Sequence, residues 1–403
     1  MATFQLNRVG PANALLSLLF GPNEACRRVA LLGGVRSVRQ RRAANAPQTP
    51  VDFVADATTY ADRHSVILDP HSTLPYDPDE LEQQFLDGGQ LTRKAYALAK
   101  AKAKYRRRVM LNLNFDHIPV VDQIVLMFPG EGTQHVGMGT KVIDHAASAE
   151  LFARAGELLG YDLLEVCRRG PKSKLDQCVH SQAGVFVASL AAWEKMKSEH
   201  EELIERVTAA AGFSVGEFCA LVVGNVLSFE DALKVIRVRA EEMFRCCELV
   251  PSGQLTVRTT AASKLDEALR EARALSGENS ENGICEVAAF LYCGVKIVGG
   301  SESALDYLQR NANQYKFQVV KRLAVPGAFH TPLMRSAAAR VSDTLANVEV
   351  RVPCLNVFSN LTGKAYTRSE AAIRRCIAQQ ICSPVKWEQI AQLLFRMRRV
   401  RIA

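Results

Sequence analysis

Short apolar runs alternate with amphipathic stretches through most of the chain, and their spacing separates strands from helices. Ile124–Phe128 and residues 207–211 (VTAAA) are small or apolar runs of strand length, the form of a strand covered on both faces. Helical spacing predicts helices over 150–159, 184–196 and 215–223. A further helix is predicted after the capping-box pair Ser228 and Asp231, with Ala232, Val235, Ile236, Arg239 and Met243 on one face. The alternation up to Val250 predicts an α/β body with a largely parallel sheet.

From residue 254 the order changes. Strand (254–259), helix (263–275), strand (285–290), strand (295–298), helix (301–311) and strand (317–324) follow one another. This β-α-β-β-α-β order is ferredoxin-like, so a small subdomain of residues 253–325 is expected as an insertion into a large domain made of 121–252 and 326–403.

With 403 residues, 48% of them hydrophobic, the chain can form a sizeable core and two or three domains. Its 11 cysteines, odd in number and without C-x-x-C spacing, argue against a disulfide framework or a zinc site and point to a reducing compartment. No apolar run has the length of a membrane span. Residues 1–45 contain Arg8, Arg27, Arg28, Arg36, Arg39, Arg41 and Arg42 against the single acid Glu24, the profile of a mitochondrial transit peptide leading to the matrix; a disordered basic tail is the other reading. This segment supplies most of the net charge of +8. Residues 46–120 read as a proline-punctuated linker or partly helical extension, with a helix around 79–108. Its basic end, 94–108, is read as a solvated face in preference to a nucleic-acid patch.

The sharpest chemical signal is Gly212-Phe213-Ser214-Val215-Gly216, because it falls on the turn from a strand into a helix. That is the setting of a nucleophile elbow, in which the serine hydroxyl stands at the tip of the turn. Arg239 lies on the apolar face of the next helix, where a guanidinium needs an anion; either a carboxylate from elsewhere in the fold or a ligand could supply it. After the first strand, Pro129-Gly130-Glu131-Gly132-Thr133-Gln134 is a Gly-rich loop able to turn its amides inward, and it lacks the Gly-Lys-Ser/Thr ending of a phosphate loop. His330 precedes Thr331 and Pro332, which suit the N-cap and N1 positions of a helix whose positive end favours a neutral imidazole. The other seven histidines show no ligand spacing, and no metal site is expected.

Together, Phe128-Pro129-Gly130-x-Gly132-x-Gln134, Gly212-x-Ser214-x-Gly216-Glu217, Arg239 and Gly327-Ala328-Phe329-His330-Thr331 resemble the signatures of malonyl-CoA:acyl carrier protein transacylase, most of all its mitochondrial branch. The resemblance covers about residues 124–389. It implies a hydrolase-like large domain with the ferredoxin-like one beside it, Ser214 as nucleophile, His330 as base and Arg239 as binder of the malonyl carboxylate. It further implies Gln182 as a pocket residue and the backbone carbonyl of Gln380, ahead of Ser383-Pro384-Val385-x-Trp387, as the group that orients the histidine. The implied enzyme is a monomer that needs no cofactor beyond its substrates, malonyl-CoA and phosphopantetheinylated acyl carrier protein, and that has no nucleic-acid partner. The amides of Glu131 and Val215 are the candidate oxyanion donors. Lys296, Lys316, Lys321 and Arg322 are candidates for steering an acidic carrier protein.

Two departures accompany the resemblance. The family has Gln where this chain has Glu131, whose carboxylate would repel a malonyl carboxylate unless turned away or protonated. The family also continues beyond Trp387 through a closing strand and helix, whereas here Ala403 is the last residue, so a truncated product with an exposed sheet edge is expected. The other readings are a serine thioesterase, a catalytically impaired scaffold, and an RNA- or membrane-surface protein acting through its basic runs.

Overall fold

The structure, a computed structural model, describes residues 113, 115, 117–277 and 283–397. The expected transit peptide, nearly all of the 46–120 extension and the last six residues lie outside them.

Three parallel strands, β1 (Ile124–Phe128), β2 (Val207–Gly212) and β7 (Asn356–Val357), form one sheet in the order β1-β2-β7. Every residue of β2 is buried, and its small side chains serve two faces by simple alternation. Ala210 joins the main core, while Ala209 and Ala211 meet Phe358, Ile390, Leu393 and Leu394 on the other side. Around the sheet run α1 (Ala146–Leu159), α2 (Leu163–Arg169), α3 (Lys172–Leu175), α4 (Cys178–Glu199), α5 (Glu201–Ile204), α6 (Gly216–Val223) and α7 (Phe229–Leu249). The predicted helices 150–159 and 184–196 are thus extended at their N-terminal ends, where polar residues hide the start from a hydrophobic count.

At the start of α7 the Ser228 side chain accepts from the Asp231 amide at 3.0 Å. The reciprocal half of a capping box is not made; Asp231 accepts instead from Lys234 at 3.3 Å. The buried stripe of α7 runs Phe229, Ala232, Val235, Ile236, Arg239, Ala240, Met243, so the arginine does sit among apolar positions.

The second sheet is antiparallel, in the order β4 (Cys285–Tyr292), β5 (Val295–Ser301), β3 (Ser252–Arg258), β6 (Gln318–Arg322). With α8 (Leu265–Gly277) and α9 (Glu302–Asn311) it has the ferredoxin-like order, and its own core holds Leu255, Val257, Leu269, Val298, Leu305 and Leu308. Its β4 edge is bridged by Val385: the Phe290 amide donates to the Val385 carbonyl, and the Val385 amide to the Ala288 carbonyl, each at 2.9 Å. After β6 the chain returns through α10 (Arg335–Leu345), α11 (Glu370–Gln379) and α12 (Trp387–Met397). Among the described residues no helix is long and apolar enough to cross a membrane.

Candidate active site

The site forms where β1 and β2 end, the place where open α/β sheets present their loops. Phe128 and Gly212 are register partners, so the Gly-rich loop and the Ser214 turn leave the sheet side by side. The fit there is backbone to backbone. A Cβ on Gly212 would stand 1.9 Å from the Gly216 carbonyl oxygen, and one on Gly216 would stand 2.3 Å from the Pro129 oxygen. Only hydrogen fits at either position.

Ser214 has φ 54° and His330 has φ 60°, both in the left-handed region that side chains avoid. Such strain persists where surrounding bonds over-determine it. For Ser214 those bonds are the amide's donation to Asn360 Oδ1 at 2.7 Å and the carbonyl's acceptance from Gln380 Nε2 at 3.1 Å. For His330 they are the amide's donation to the Ile381 carbonyl at 3.1 Å and the ring's contact with the neighbouring carbonyl of Gln380. The small sheet buttresses the same loop, since Gln254 Nε2 donates to the Phe329 carbonyl at 2.9 Å and the Ala328 amide donates to Ser252 Oγ at 3.2 Å.

His330 Nε2 lies 2.8 Å from Ser214 Oγ, and His330 Nδ1 lies 2.9 Å from the Gln380 carbonyl oxygen. The partners assign the protons. A carbonyl only accepts, so Nδ1 carries hydrogen and Nε2 offers its lone pair. Arg239 Nη2 donates to Ser214 Oγ at 2.9 Å, which leaves the hydroxyl hydrogen directed at Nε2. Burial, and then the Arg239 guanidinium, push the His330 pKa down to about 3, while the Gln380 carbonyl pulls the other way. The neutral imidazole expected from the sequence is present, for a different reason. The segment after it, Pro332–Met334, is one turn of 3-10 helix, and Thr331 Oγ1 donates back to the Ala328 carbonyl at 2.6 Å instead of capping that turn.

Arg239 is 0% exposed. It donates to Gln182 Oε1, to Ser214 Oγ and, at 3.4 Å, to Gln380 Oε1, all of them neutral, and its Nε has no partner. Among the described residues it forms no ion pair. Of the two sources of an anion weighed from the sequence, a carboxylate elsewhere in the fold does not make direct contact.

The departure at Glu131 has a structural answer. Its carboxylate turns to the beginning of α4, accepting from Ser181 Oγ at 2.6 Å and from Gln182 Nε2 at 3.0 Å. Gln182 therefore spans the acid and Arg239. Desolvation raises the Glu131 pKa, and the Ser181 bond and Arg239 counter it. Among the turn and loop hydrogen bonds of the described residues, none is donated by the Glu131 or the Val215 amide. The loop itself is closed by Gln134, whose Oε1 accepts from the Gly132 amide at 2.7 Å.

All seven residues singled out from the sequence meet here: Ser214, His330, Arg239, Gln182, Glu131, Val215 and Gln380. Three that touch the same network were assigned no role. Glu217 had a readable signal, a lone acid in the apolar helix GEFCALVV. Asn360 and Tyr366 had none, because they reach the Ser214 turn and Glu217 from loops more than a hundred positions further along the chain. Two of the lysine and arginine positions read as steering charges are otherwise engaged. Lys296 is buried with its ammonium 5.3 Å from the centre of the Phe290 ring, and Arg322 pairs with Glu302 and Asp306. Among the described residues no cluster of His, Cys, Asp and Glu could hold a metal ion.

An elbow serine paired with a carbonyl-held histidine, beneath a buried arginine on this two-sheet fold, defines an acyltransferase, and residues 125–397 match the acyl transferase domain family. The chain is 41% identical over 278 residues to the mitochondrial malonyl-CoA-acyl carrier protein transacylase of Homo sapiens, covering 69% of this chain and 71% of the relative. It is 39% identical over 266 residues to the probable mitochondrial transacylase of the same name from Drosophila melanogaster, covering 66% and 70%. The crystal structure of malonyl-CoA:acyl carrier protein transacylase from Xanthomonas oryzae pv. oryzae superposes with a TM-score of 0.61 at 28% identity, covering 69% of this chain and 85% of that one. This chain belongs to the malonyl-CoA-acyl carrier protein transacylase family.

Proposed function

We propose that the chain, as a monomer in the mitochondrial matrix, transfers malonyl from malonyl-CoA to the phosphopantetheine thiol of acyl carrier protein through an ester on Ser214. Residues 121–252 and 326–403 are read as the acyltransferase body and 253–325 as its inserted subdomain, a reading supported by the separate core of the latter. The observation that carries the proposal is the placement of one guanidinium, buried and making no direct ion pair among the described residues, on the Ser214 hydroxyl.

Ser214 Oγ attacks the thioester carbonyl carbon as its proton passes to His330 Nε2. The Glu131 and Val215 amides are read as the donors to the oxyanion of the tetrahedral intermediate. On its collapse the carbon–sulfur bond breaks and His330 returns the proton to the CoA thiolate. In the second half the carrier thiol gives its proton to His330 and attacks the ester, and Ser214 leaves with that proton. No cofactor enters either half. Throughout, the planar fork of Arg239 holds the malonyl carboxylate, which an uncharged acyl group does not offer.

Initial rates with both substrates varied test this reading. Parallel lines in the double-reciprocal plots are expected from the two-step course, and intersecting lines would refute it.

A further inference from the structure

The proton transfers above use Ser214 and His330 and leave unused a carboxylate buried between the segments that carry them. Glu217 is 0% exposed and stands in the first turn of α6. Its Oε1 accepts from the Tyr366 hydroxyl. Its Oε2 accepts from Gln380 Nε2 at 2.8 Å and from the Asn360 amide at 3.2 Å. Both of these partners go on to the reacting pair. Gln380 holds His330 Nδ1 through its carbonyl and the Ser214 carbonyl through its Nε2. Asn360 holds the Ser214 amide through Oδ1, and its Nδ2 donates to the Gly212 carbonyl at 2.7 Å. One carboxylate thus ties together the two loops that keep Ser214 and His330 in left-handed backbone.

All three groups on Glu217 point donors at it. The ionised form satisfies them. Protonation turns one of the two oxygens from acceptor to donor, so the bond received there, from Tyr366 on Oε1 or from Gln380 and Asn360 on Oε2, must reverse or break.

We propose that Glu217 is the positioning residue of this centre: its ionised carboxylate holds Gln380 and Asn360, and through them His330 and the Ser214 turn, so that taking up a proton switches acyl transfer off. This inference rests on the reading of Ser214 as nucleophile and His330 as base. The ionisable groups facing Glu217 are Tyr366, Arg239 of α7 and Cys376 of α11. Burial lifts its pKa to about 7, against the pull of Tyr366, Gln380, Asn360 and Arg239. His330 is held near 3 in the free protein, and Glu131 is a second buried acid with a raised pKa, so the acid limb is assigned to Glu217 by its response to substitution of Glu217 and of its partner Tyr366.

The test is the rate constant of Ser214 malonylation by malonyl-CoA, followed by rapid quench and intact mass as pH is varied. This half-reaction contains no thiol nucleophile whose own titration would intrude. In the unaltered protein the rate is expected to fall below about pH 7. Glu217→Gln is expected to lower the plateau about 10²-fold, to leave the malonyl-CoA concentration for half-saturation nearly unchanged, and to lose the acid limb. Tyr366→Phe removes a donor to the ionised form and is expected to move that limb to higher pH. A Glu217→Gln protein with the original rate or limb, or a Tyr366→Phe protein with an unmoved limb, would overturn the proposal. Should Glu217→Gln not fold, Tyr366→Phe decides alone. An unaltered protein that forms no Ser214 ester would instead remove the parent reading.

Discussion

Arg239 Nη2 donates to Ser214 Oγ at 2.9 Å, so the proposed nucleophile is already held by the cation proposed to receive the substrate carboxylate. Both the hydroxyl and the carboxylate compete for the same fork. On the proposed reading, a malonyl carboxylate on that fork offsets part of the positive charge beside His330, while burial, the larger cause of its low pKa, remains.

Arg239→Ala is expected to lower kcat/KM for malonyl-CoA on the order of 10²-fold, the scale of about 3 kcal/mol for a lost bond to a charged group. Acetyl-CoA, which has no carboxylate, should lose far less. Competition between the two thioesters, read as acyl adducts by mass, measures the ratio; an unchanged ratio would remove Arg239 from substrate selection.

Glu131→Gln is expected to lower KM for malonyl-CoA several-fold at pH 8, because it removes an acid close to the substrate carboxylate. The amide can be accommodated, since Ser181 Oγ also reaches the Cys178 carbonyl at 3.3 Å and can turn its hydrogen there. Steady-state kinetics at low and high salt check this, the effect being little screened for so desolvated a group.

The pH dependence of stability has a defined sign at His330. Its pKa in the folded chain is about 3 against an ordinary 6.5, so between these values the unfolded chain binds more protons. Stability from this group is therefore whole above 6.5 and is lost as pH falls toward 3, on the order of 5 kcal/mol in all. Glu217, raised to about 7 from 4.5, works in the opposite direction between those two values. His330→Gln should melt with a flatter dependence on the acid side, measured by thermal unfolding from pH 4 to 7.

Gly212→Ala is expected to cost several kcal/mol and to abolish the elbow, because its Cβ would lie 1.9 Å from the Gly216 oxygen. Loss of soluble protein, or of the thermal transition, is the expected result.

Much of this was legible in the chain because local rules and the fold agree. The Val207–Gly212 strand, its turn and the helix behind it follow from small residues, two glycines and an apolar run placed in succession. The ferredoxin-like order was equally plain, since each of its elements is short and separately punctuated. Arg239 could be placed on a buried stripe by spacing alone, yet spacing could not say that its partners would be Gln182, Ser214 and Gln380. The pKa of His330 shows the limit most clearly. A helix dipole could be read from Thr331 and Pro332, whereas the governing causes, burial and a guanidinium ninety-one positions earlier, exist only once the fold closes.

The most direct measurement of the central claim is the intact mass of the protein after brief exposure to malonyl-CoA, beside Ser214→Ala. One malonyl adduct is expected, absent from Ser214→Ala and discharged when acyl carrier protein is added. A folded protein that acquires no adduct, or an adduct that persists in Ser214→Ala, would contradict acyl transfer through Ser214.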